Sequence, residues 1–113
     1  MDNAHFDDPH YLCSELVLMV CEDNDAGPRC FVGNLEEISA RRAVVLIDAH
    51  MTRGAIVTIR CNGERLRGFV RHSTFERGLG MFTEVDLFME SCWTGERFAP
   101  QHQFPTDTCE DES

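Results

Sequence analysis

All ten basic side chains of this 113-residue chain are arginine; none is lysine. A guanidinium grips phosphate or carboxylate bidentately and stacks on flat rings, so arginines that gather point to anion chemistry. They gather in Glu37-Ile38-Ser39-Ala40-Arg41-Arg42. Two adjacent arginines beside a turn serine have the makings of an anion site. With Arg29 upstream, the candidate ligand-binding set is Arg29, Glu37, Ser39, Arg41 and Arg42. An extended backbone would send Arg41 and Arg42 to opposite faces, whereas a bend would bring both round. The competing reading is a solvated turn with an ordinary Glu–Arg pair, worth about 0–1 kcal/mol.

Other chemistries find less material. The cysteines Cys13, Cys21, Cys30, Cys61, Cys92 and Cys109 contain no C-x-x-C pair, and no histidine stands at zinc-ligand spacing from a cysteine pair. Six free thiols are expected, with Cys21, Cys30 and Cys61 as small core residues. His5, His10 and Asp7-Asp8 could ligate a metal, but no rigid element holds them, so residues 1–14 read as a flexible acidic lead. There is no nucleophile–base–orienter set, no Gly-rich phosphate loop and no paired-carboxylate signature. The expectation is a protein that is not an enzyme, with no cofactor. A metal or redox protein using the Cys/His set stands as a third alternative.

The elements that position the arginines are strands. Asn62-Gly63 is a signal for a two-residue hairpin turn, both central residues taking positive φ. That turn sets Cys61 opposite Glu64, Ile59 opposite Leu66, Val57 opposite Gly68 and Ala55 opposite Val70. Thr58, Arg60, Arg65, Arg67 and Arg71 then share the other face, with Ile56 opposite Phe69. A one-residue slip would bury arginines, so turn and pattern fix the same register. Glu76-Arg77-Gly78 turns the chain into a further strand, Leu79 to Val85. Upstream, Glu15 to Glu22, Cys30 to Glu37 and Ala43 to Asp48 read as strands, the first buried on both sides. Six short strands with frequent turns predict an all-β fold, a small six-stranded antiparallel barrel. After Val85 the pattern dissolves into an irregular aromatic extension, with Trp93 and Phe98 expected to cover an open end. Residues 15–105 form one domain in this reading, and 106–113 a disordered tail.

The formal charge of −10 divides into −7 over residues 1–28, +1 over 29–97 and −4 over 98–113. Such acidity argues against DNA, RNA or anionic membranes as broad partners. No apolar run is long enough to insert in a membrane, and reduced thiols make a cytoplasmic location the economical expectation.

The order of these elements, with Glu37-Ile38-Ser39-Ala40-Arg41-Arg42, Gly54-Ala55-Ile56-Val57, Gly68-Phe69-Val70-Arg71 and Gly80-Met81-Phe82, resembles the PilZ domain family over about residues 15–86. The resemblance implies a six-stranded barrel and a role in cyclic di-GMP signalling. The family's Arg-x-x-x-Arg before the first strand is absent, since residues 1–28 contain no arginine. In its Asp/Asn-x-Ser-x-x-Gly motif Ser39 matches, Glu37 replaces Asp/Asn, and Arg42 stands at the glycine. The implied function is therefore a signalling or adaptor module that works through a protein partner and binds cyclic di-GMP weakly, with Kd above about 10 μM, or not at all. The alternative is a true receptor in which Arg29, Arg41 and Arg42 replace the missing motif.

Overall fold

The computed structural model describes residues 10–22 and 27–91, and the backbone of residues 103–105. Seven strands follow one another: β1 Tyr11–Cys21, β2 Arg29–Ile38, β3 Arg42–Ile47, β4 Ile56–Cys61, β5 Glu64–Glu76, β6 Gly80–Leu87 and β7 Gln103–Pro105. The hydrogen-bonded order is β2-β3-β6-β5-β4-β1, and β1 returns to β2, so six antiparallel strands close a barrel. The three residues of β7 pair with Tyr11, Leu12 and Cys13 of β1. No helix among the described residues is long and apolar enough to cross a membrane.

The β4–β5 hairpin has the expected register, Cys61 to Glu64, Ile59 to Leu66 and Val57 to Gly68. Asn62 and Gly63 take φ of 53° and 80°, the positive pair that such a turn requires. Val57, Ile59, Leu66 and Val70 are buried, and half-buried Ala55 packs against the same core. Met19, Leu35, Ile38, Val45 and Val85 complete its centre, and Met51 enters from the loop between β3 and β4. Each such side chain contributes about 1.5–3 kcal/mol by leaving water.

Gly68 faces inward where β5 crosses β6. A Cβ there would overlap the Asp86 carbonyl oxygen and lie 2.9 Å from Leu87 Cα, so only hydrogen fits.

Three expectations are corrected. β1 begins at Tyr11, so residues 11–14 belong to the barrel wall rather than to an irregular lead. β1 is buried on one side only: Cys13, Glu15, Val17, Met19 and Cys21 point in, while Leu16 is 75% exposed. Cys30 is exposed, because it has the outward parity of Val32 while Phe31, Gly33 and Leu35 point in. Cys13, Cys21 and Cys61 are buried, and all four described cysteines are free thiols. Trp93 and Phe98 lie outside the described residues. The chain leaving β6 is clipped to β5: the Phe88 N–H donates to the Arg67 carbonyl (2.9 Å), and the Arg67 N–H donates to Ser91 Oγ (2.9 Å).

A cleft beside the β2–β3 turn

The turn between β2 and β3 is braced by Ser39. Its N–H donates to the Arg42 carbonyl at 2.9 Å and its hydroxyl to the same oxygen at 3.3 Å. The chain bends at Ala40–Arg41, and the Arg41 carbonyl accepts the Leu87 N–H at 2.8 Å. This bend brings Arg41 and Arg42 to one cleft of ≈ 430 Å³. Ser39, His10, Phe69, Asp86 and Leu87 complete the lining.

Cross-strand pairing explains who meets whom. Arg42 stands opposite Asp86, and Asp86 opposite Phe69. Side chains directly opposite in antiparallel strands share a face, so a guanidinium, a carboxylate and an aromatic ring lie in one row. Arg42 Nε donates to Asp86 Oδ1 at 3.2 Å and Arg71 Nη1 to Asp86 Oδ2 at 3.1 Å. One carboxylate thus engages two guanidiniums. Arg71 reaches it because β5 is bulged: Val70 pairs with Val85 and His72 with Glu84, leaving Arg71 as the extra residue. A bulge turns the strand and re-aims its side chains, so Arg71 and His72 are both exposed. A second groove of ≈ 600 Å³, lined in part by Arg53, Arg71, His72 and Glu84, adjoins the first through Phe69 and Asp86.

Of the candidate set, Ser39, Arg41 and Arg42 come together. Among the described residues the exposed Arg41 guanidinium has no carboxylate partner. Glu37 lies next to the cleft rather than in it, its Oε2 3.2 Å from His10 Nδ1. Arg29 is not brought to the site. It opens β2, with its guanidinium 5.3 Å from the Phe31 ring centre, while the cleft is at the strand's other end. At roughly 3.3 Å per residue that is about 30 Å along the strand. Sequence reasoning missed His10, Phe69, Arg71 and Asp86. For Phe69 a signal existed, since the hairpin register already placed it on the outer face with the arginines.

A guanidinium, a ring face and a braced turn can hold a planar anion. The buried thiols lie elsewhere and are unreactive. Burial, with Glu15 as the next cause, pushes the Cys13 thiol up to about 12, and the same two causes push Cys61 up to about 11. Both stay protonated at neutral pH and are poor metal ligands. Among the described residues no group of three or more His, Cys, Asp or Glu side chains could hold a metal ion.

No family model, curated protein or solved structure matches this chain.

Proposed function

We propose that this chain is a non-enzymatic, PilZ-like signalling or adaptor module that acts through a protein partner and binds cyclic di-GMP weakly or not at all. The observation that carries this reading is Asp86. It engages Arg42 and Arg71 in the cleft where an anionic dinucleotide would need them. A phosphate entering there must break two charge-assisted hydrogen bonds and lie beside a carboxylate. The first family motif is missing as well, because no arginine precedes residue 29. The outer face of β1 and β2 supports contact with a protein: Leu16 and Val32 are 75% and 66% exposed, with Leu18 and Val20 half-buried beside them.

One observation favours the receptor reading. Arg41 and Arg42 line the same cleft, beside an aromatic ring. Calorimetry with cyclic di-GMP on wild type and Asp86→Asn separates the two. The adaptor reading expects a wild-type Kd above about 10 μM, and tightening of at least about tenfold when the carboxylate is neutralised. Submicromolar wild-type binding that Arg42→Ala abolishes would establish the receptor instead.

A further inference from the structure

β5 has thirteen residues and its neighbour β4 only six. The pairing of β4 with β5 ends at Ile56 opposite Phe69. Two bonds follow: the Gly54 N–H donates to the Val70 carbonyl (2.7 Å), and the Val70 N–H to the Ala55 carbonyl (2.9 Å). From His72 to Glu76, β5 pairs with β6 alone. Among the described residues nothing hydrogen-bonds the other edge of this segment. From His72 to Glu76 the edge has no proline and no lysine, and among the described residues no element covers it; the bulge at Arg71 stands at its base. His72, Thr74, Phe75 and Glu76 are all exposed, Phe75 at 66%.

The backbone groups on this edge can be assigned. Glu76 pairs with Gly80 and closes the turn, its carbonyl accepting the Leu79 N–H at 3.0 Å. In an antiparallel ladder successive residues bond to opposite sides, so Glu76, Thr74 and His72 bond to β6. Ser73 and Phe75 therefore present their N–H and carbonyl groups outward.

We propose that this edge pairs with the same edge of a second copy, antiparallel about a twofold axis through Thr74. Ser73 then faces Phe75 of the second copy, and all the outward N–H and carbonyl groups of both residues are satisfied. His72 faces Glu76 of the second copy, twice per interface, in positions where opposed side chains lie closest. Thr74 faces its own counterpart. Neighbouring registers do less well. An axis through Ser73 would set Val70 against Glu76, but the Val70 groups are already bonded to Gly54 and Ala55. An axis through Phe75 would push Ser73 onto Arg77, which is in the turn. The edge is thus self-complementary in backbone hydrogen bonding, with an imidazole facing a carboxylate that can accept its N–H, which is what an isologous contact needs. Opposing it is a charge of −10 on each copy, a repulsion that salt screens.

Sedimentation velocity on the full chain tests this, run from about 5 to 300 μM at low and at physiological salt. For so small an interface the expected dimer has a Kd on the order of 10–100 μM. It should tighten as salt rises from about 10 to 150 mM. Glu76→Lys should weaken it roughly tenfold, since the lost pair occurs twice. Adding His72→Glu to Glu76→Lys should restore it, because a carboxylate then faces an ammonium. Ser73→Pro, which removes an outward N–H and leaves the β6 ladder intact, should abolish it. A wild type that is monomeric throughout would overturn the proposal, leaving the edge to a strand of another protein. So would a dimer that survives Glu76→Lys unchanged.

Discussion

The two parts of β5 behave as different structures. From Glu64 to Val70 the strand is barrel wall: it pairs with β4 up to Phe69 and with β6 from Gly68 on, and Leu66, Gly68 and Val70 are buried. From Arg71 to Glu76 it is an arm paired only to β6, and every residue but Ser73 is exposed. The boundary is the bulge at Arg71, which ends the inward–outward alternation and turns one arginine onto Asp86. Wall residues are held by a core, whereas arm residues are held by one ladder. A substitution of the same kind should therefore differ in cost by its side of the bulge.

The largest contrast is between two glycines. Gly68→Val places atoms where the Asp86 backbone lies. Neither strand can withdraw without opening the barrel, so the cost should be about 3 kcal/mol or more, or failure to fold. Gly78, in the turn at the tip of the arm, has nothing within 4 Å of an added Cβ and φ of +83°. Gly78→Ala should cost only the left-handed penalty, about 1 kcal/mol. Urea denaturation followed by far-UV circular dichroism measures both. Similar costs at the two sites would mean that Gly68 is not a close crossing.

Truncation gives the next contrast. Leu66 is 1% exposed, so Leu66→Ala should destabilise by about 2–5 kcal/mol. Phe75→Ala removes a larger side chain, yet at 66% exposure it should cost less than about 0.5 kcal/mol in the monomer. If Phe75→Ala proved the costlier, the arm would be packing against something substantial.

The closed part of the barrel also protects thiols. Iodoacetamide with peptide mapping should label exposed Cys30 first and buried Cys13 and Cys61 last. The pH dependence has a definite sign. In the native state Cys13 holds its proton to about 12 against an ordinary value of 9.0, and Cys61 to about 11. The unfolded chain releases those protons above about 9. Stability from this source is complete below pH 9 and is lost as pH rises toward 12. Cys13→Ala should flatten the alkaline decline of the urea midpoint between pH 9 and 10.5.

Legibility in the sequence follows the same boundary. Asn62-Gly63 and the alternation of Val57, Ile59, Leu66 and Val70 specify one register twice over, so the wall could be read. The bulge could not, because Arg71 and His72 are both polar and an extra residue among polar residues leaves no mark on a pattern. The start of β1 was hidden by the opposite effect. Leu16, Leu18 and Val20 are apolar on the outside while Glu15 points in, so alternation is blurred and the strand reads as buried on both sides. At the cleft, Ser39, Arg41 and Arg42 are near neighbours in sequence and were found together. Asp86 and Phe69 arrive by strand pairing, and that pairing lies past Val85, where the sixth strand was expected to stop. Arg29 joined the candidate set as a residue type, without a position; in the barrel it stands at the far end of β2.

The smallest expected effect concerns the ion pair at the boundary itself. Arg71 is about half exposed and Asp86 about a quarter, with Arg42 sharing the same carboxylate. Water competes for every member of such a group, and two guanidiniums at one carboxylate repel each other. Arg71→Ala should therefore cost no more than about 1 kcal/mol, and less in high salt. Arg77→Ala, in the turn of the arm, has no described ion pair to lose and should cost nearly nothing. The test is the difference between the two in urea midpoint, measured at about 20 and 500 mM salt. A difference that shrinks with salt assigns the energy to the Asp86 pair. One that persists at full size would mean that the Arg71 backbone conformation, rather than its charge, sets the end of the wall.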